Sequence, residues 1–180
     1  MRFIYILMLI FSCSSWSYTV GHQTLLIDTG DSKRQLSTRV FYPSLSDAPS
    51  LLQASNSVFQ GFSAIPDAPL AAGKFPLVIL SHGSGGNNTS LAWLATQLAR
   101  HGIIAVAASH PGSTTGDSYA TTDITLQTRD ISSMLNFIMR DFRWGKVIDH
   151  QKIGVIGHSK GGYSTLALTG VQISRQRFAD

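Results

Sequence analysis

Three stretches of the chain are apolar almost without interruption: FPLVIL (75–80), IIAVAAS (103–109) and KIGVIG (152–157). Each runs into a short polar turn and then into a segment with helical spacing. Strands that are apolar on both faces belong to parallel sheets covered by helices on either side, so this order predicts an α/β core. In the segment 88–100, Leu91, Leu94, Ala95 and Leu98 share one helical face, and Gly102 stands where a C-terminal cap is expected. In 123–142, Ile124, Ile131, Leu135, Ile138 and Phe142 do the same. Upstream, TLLID (24–28) and STRVFYP (37–43) read as two strands joined by the turn Thr29-Gly30-Asp31-Ser32, and Pro43 closes the second. Residues 44–74 are rich in Ser, Ala, Pro and Asp and hold no period. They read as a long surface loop, either lying over a site or serving as a flexible linker.

Composition sharpens this picture at the amino terminus. Arg2 is followed by the apolar run Phe3 to Phe11 and then by Ser12-Cys13-Ser14-Ser15, the order of a secretory signal. The run is too short to span a bilayer. The expected organisation is a signal over 1–17, cleaved after Ser17, and one partial domain over 18–180, which makes the protein exported, either periplasmic or secreted. A second reading takes Ile10-Phe11-Ser12-Cys13 as a lipoprotein box, with a lipid anchor at Cys13 on an outer membrane. Cys13 is the one cysteine of the 180-residue chain, so the remaining domain has neither a disulfide nor a thiolate nucleophile. The net charge of +4 comes from scattered basic residues that form no stripe, which argues against nucleic acid as a partner.

Chemistry gathers where the three apolar strands end, the edge at which open parallel sheets carry their ligands. The endings are Ser81-His82-Gly83-Ser84-Gly85-Gly86-Asn87, Ser109-His110-Pro111-Gly112 and Gly157-His158-Ser159-Lys160-Gly161-Gly162. The last fits G-x-S-x-G between a strand and a helix, a sharp turn that holds a serine hydroxyl above the sheet. The helix that follows points its amide-rich end at that serine. Gly83, Gly85 and Gly86 free the first loop to approach a ligand, so the N–H groups of Ser84 and Lys160 are candidates for one oxyanion hole. A nucleotide reading of the glycine loop fails on spacing, because neither G-x-x-x-x-G-K-[ST] nor G-x-G-x-x-G occurs there. The histidines lack metal-ligand spacing, and no cofactor is expected.

Together FYP, FPLVILSHGSGGN, ASHPGSTTGD, RDISSMLNFI and DHQKIGVIGHSKGGYSTLALTG resemble the α/β-hydrolase superfamily over roughly Val40 to Gly170. Within it the likeness is to the exported dienelactone-hydrolase-like group related to platelet-activating-factor acetylhydrolases. The resemblance implies a mostly parallel sheet flanked by helices and a serine esterase acting on small acyl or lipid esters, with no cofactor and no metal. Dienelactone hydrolases carry cysteine at the elbow, so Ser159 shifts the expected substrate away from dienelactones. By the resemblance Ser159 is the nucleophile, Ser84 and Lys160 supply the oxyanion amides, and His82 is a structural residue of the oxyanion loop. His158 fills the variable elbow position, and His110 begins a loop on the substrate side.

In this superfamily the order is Ser, then Asp or Glu, then His. After Ser159 the sequence has no histidine and one acidic residue, Asp180. Against the eight strands implied by the resemblance the pattern supplies about five, the last at an open edge. The sequence therefore reads as the amino-terminal half of an esterase, truncated after the elbow helix. The alternative is an inactive protein that acts as a binding or interaction module.

Overall fold

All five side chains of Ile104–Ala108 are buried, as its unbroken apolar pattern requires of a strand covered on both faces. A computed structural model describes residues 17–31, 34–117 and 119–171. The segment read as an export signal, with Cys13, and the terminal Asp180 lie outside the described residues. The elements in chain order are β1 (Thr19–Ile27), β2 (Leu36–Ser44), β3 (Leu51–Gln53), β4 (Phe62–Pro66), β5 (Phe75–Ser81), β6 (Gly85–Gly86), α1 (Ala92–Arg100), β7 (Ile104–Ala108), α2 (Thr125–Arg140), β8 (Ile148–Gly157) and α3 (Lys160–Leu168).

Among the described residues seven strands form one sheet in the order β3-β4-β1-β2-β7-β5-β8. Its β7-β5-β8 part is parallel, as expected, and the site stands on it. Strand β2 joins β7 antiparallel and β1 joins β2 antiparallel, so the sheet as a whole is mixed. Alternate residues of β5 and β7 feed two cores. Leu77, Ile79, Ile104 and Val106 pack with Ile131, Met134 and Ile138 of α2. Leu80, Ala105 and Ala107 pack with Ala92, Ala95 and Ala99 of α1. Helix α1 thus turns its alanines to the sheet, leaving Leu91, Leu94 and Leu98 half-buried on its flank.

Three expectations need correction. The segment 44–74 is not strandless, because β3 and β4 form a hairpin whose second strand runs parallel to β1. Helix α1 begins at Ala92, not 88, since residues 87–92 are wound into turns by Ser90 N–H to Asn87 O and Ala92 N–H to Thr89 O. Helix α2 stops at Arg140, and Phe142 is 80% exposed instead of joining the core face. The reason is Asp141, which leaves helical geometry and accepts bonds at Oδ1 from the amides of Arg143 (2.8 Å) and Trp144 (2.9 Å). That turn buries Trp144 against Tyr42, with ring centroids 5.1 Å apart.

Strand β8 lies at the sheet edge, as the sequence pattern implied. Ile153 and Ile156 on it, with Leu166 and Leu168 on α3, are exposed.

Candidate active site

The turn from β8 to α3 is possible only with glycine on both sides of Ser159. A Cβ on Gly157 would fall 2.1 Å from the carbonyl oxygen of Gly161, and one on Gly161 would fall 2.2 Å from that of Ser81. This close approach presses the helix onto the end of β5, and His158 N–H donates to Ser81 O at 3.1 Å. Ser159 stands between them at φ 53° and ψ −119°, a region that side-chain-bearing residues rarely occupy. The strain lifts its exposed side chain clear of the sheet at the amino end of α3.

The glycine loop after β5 meets this turn directly. A Cβ on Gly83 would sit 3.1 Å from Ser159 Cβ, so Gly83 is in contact with the elbow. Neither the Ser84 amide nor the Lys160 amide has a hydrogen-bond partner among the described residues. One unpartnered N–H thus follows the strained serine at the start of α3, and the other belongs to the loop whose Gly83 touches that serine. The Ser159 hydroxyl also has no partner among the described residues, and no described imidazole is bonded to it.

Five of the six histidines are engaged elsewhere. His22 contacts Gln53 through Nε2, His101 contacts Gln97 O and His150 contacts Gly145 O. His158 is exposed beside the elbow. His82 and His110 lie beneath the loop, 2% and 0% exposed, in a polar cluster that sequence reasoning did not find. His110 Nδ1–H donates to Asp130 Oδ2 at 3.0 Å, and its Nε2 accepts from the Ser81 hydroxyl at 3.1 Å. Arg34 clamps the same carboxylate through Nη2 at 2.6 Å and Nε at 3.3 Å, and donates through Nη1 to Pro111 O at 2.9 Å. Gln127 Nε2 donates to Ser81 Oγ at 3.0 Å and to His82 O at 2.6 Å. Burial pushes both imidazoles below their ordinary value, His82 down to about 4 and His110 against the pull of Asp130. Ser81, His110 and Asp130 thus repeat the bond order of a catalytic triad, yet they are sealed at 0–2% exposure, out of reach of any substrate.

A cavity of about 590 Å³ opens between the β3–β4 hairpin and the start of α1. Val58, Phe59 and Trp93 give it an exposed apolar rim, and Asn87 joins it to the glycine loop. No helix among the described residues is long and apolar enough to cross a membrane.

A parallel sheet whose strand β8 turns through a strained serine into a helix, faced by a glycine loop from the neighbouring strand, defines an α/β-hydrolase. The sequence model of the chlorophyllase family matches residues 53–177, more than half of the chain, and the chain belongs to that family. Among solved structures, a ferulic acid esterase from Streptomyces cinnamoneus is 26% identical with a TM-score of 0.69, the match covering 85% of this chain and 56% of that one. A hypothetical protein from Pseudomonas aeruginosa shares the fold at 16% identity and a TM-score of 0.57, over 94% of this chain and 45% of its own. The chain therefore spans about half the length of these solved structures. A comparison with curated proteins gives no match.

Proposed function

We propose that this chain carries the nucleophile-bearing half of a serine carboxylic-ester hydrolase. Ser159 Oγ attacks the ester carbonyl, and the amides of Ser84 and Lys160 take up the negative charge that develops on its oxygen. The alcohol leaves, and water releases the acid from the acyl-serine. The observation that carries this reading is the strained, exposed Ser159, followed by one unpartnered amide and touched by the glycine loop that holds another. Such strain is retained where the surrounding structure over-determines it, and it clusters at reactive positions. The base that takes the Ser159 proton is proposed to come from the part of the fold that this stretch does not span. The apolar rim of the cavity suits an ester with a hydrocarbon or aromatic portion. On the same footing we place the protein outside the cytoplasm, from the order of Arg2, the apolar run and the small polar residues that follow it.

The test is to treat the natural protein, recovered from its source, with a fluorophosphonate probe and map the adduct by peptide mass spectrometry. A single adduct at Ser159, absent from Ser159→Ala, together with hydrolysis of nitrophenyl esters, is the expected result. The rival reading, a binding module, draws on the absence of any described base bonded to Ser159 and predicts folded protein that takes no label.

A further inference from the structure

The glycine loop contains a contact whose consequence follows from the planarity of one peptide bond. His82 Nδ1 lies 2.6 Å from the carbonyl oxygen of Gly83. A carbonyl can only accept, so Nδ1 carries the proton and Nε2 is left as an acceptor. Nε2 receives the backbone N–H of His110 at 3.1 Å, which has no other role to offer, and so the tautomer is fixed from both sides. The Gly83 carbonyl also accepts from Gly86 N–H at 3.0 Å. That carbonyl belongs to the same planar trans peptide as the Ser84 N–H, and the two point in opposite directions. Holding the oxygen toward the His82 ring turns the Ser84 N–H the opposite way, and the loop that carries it touches the elbow, since a Cβ on Gly83 would sit 3.1 Å from Ser159 Cβ.

We propose that His82 is the positioning residue of the oxyanion loop, aiming the Ser84 amide by holding the other end of its peptide. This rests on the esterase reading given above. Gly86 makes room for the device, since a Cβ there would fall 2.8 Å from both Cβ and Nδ1 of His82. The acceptor side is braced in turn. The His110 peptide stays in place because its ring is held by Ser81 and Asp130, and Asp130 is held by Arg34. Gln127 fixes the His82 carbonyl from α2. His82 touches no substrate in this scheme and transfers no proton.

The experiment compares the natural protein with His82→Leu and His82→Asn. Asparagine can place an N–H close to the position of Nδ1, whereas leucine offers no donor. For His82→Leu, kcat on a nitrophenyl ester is expected to fall about a hundredfold with KM within a few-fold, the size of effect seen when one oxyanion donor is lost. His82→Asn is expected to recover at least about tenfold of that loss. A folded His82→Leu with wild-type kcat, or a loss that His82→Asn does not recover, overturns the proposal. Imidazole ¹⁵N spectra of the wild-type protein test the contact without turnover or a variant that must fold. They should show protonated Nδ1 and bare Nε2 on His82, and the opposite tautomer overturns the proposal even in an active enzyme. Wild-type protein that neither labels nor turns over sinks the esterase reading, and the aiming role with it, while the spectra still report whether the His82 lock exists.

Discussion

Replacing Ser159 by glycine should make the protein more stable, although it removes the residue on which the proposed reaction depends. At φ 53° and ψ −119° Ser159 occupies backbone space that glycine enters freely and other residues enter at a cost of about 1–3 kcal/mol. Against that relief stands the greater flexibility of glycine in the unfolded chain, worth about 0.5–1 kcal/mol. The Ser159 hydroxyl has no partner among the described residues, so no bond is lost with it. The net expectation is a gain of about 1 kcal/mol, which for a domain of this size raises Tm by about 2–4 °C. Ser159→Ala is the matched control, because it removes the hydroxyl and keeps the strained Cβ, and its Tm should stay near wild type. Thermal unfolding followed by circular dichroism measures all three. A Tm for Ser159→Gly at or below that of Ser159→Ala would refute the assignment of strain to this residue.

Two further outcomes follow from the same geometry. His82 keeps a pKa of about 4 when folded against 6.5 when free, so below pH 6.5 the unfolded chain binds a proton that the folded one refuses. Stability should therefore fall by about 3 kcal/mol as pH drops from 6.5 to 4, and urea midpoints should show a shallower fall for His82→Asn. Gly161→Ala drives a methyl group to 2.2 Å from the backbone oxygen of Ser81 and should cost about 3 kcal/mol in denaturant unfolding; a loss below 1 kcal/mol would mean that the elbow can give way.

The parallel half of the sheet was legible because β5 and β7 are covered on both faces, which leaves an unbroken apolar run, and β8 carries the same kind of run although Ile153 and Ile156 are exposed at the edge. The β3–β4 hairpin was not, because β3 has three residues and leaves Leu51 and Leu52 exposed, so neither period nor burial marks it. The end of α2 was misplaced because Phe142 continues the helical spacing by coincidence, while the stop is made by the Asp141 side chain. The strand-to-helix turn and the glycine loop were readable since local backbone geometry demands glycine there. The polar cluster beneath them was not, because it joins side chains of four separate segments. One signal for it was present: Gln127 and Asp130 fall on the same helical face as Ile131, Met134 and Ile138, and polar groups on a buried face must find partners.

The bridge between Arg34 and Asp130 spans 96 positions of the chain. Contacts of such long range form late, because the loop they close must be ordered before they contribute anything. The brace under the glycine loop cannot exist until β2, β5, β7 and α2 have come together, since it draws on a residue next to or within each. A nascent or half-folded chain therefore leaves the glycine loop unbraced beside the elbow, and the surroundings of Ser159 are completed among the last events of folding.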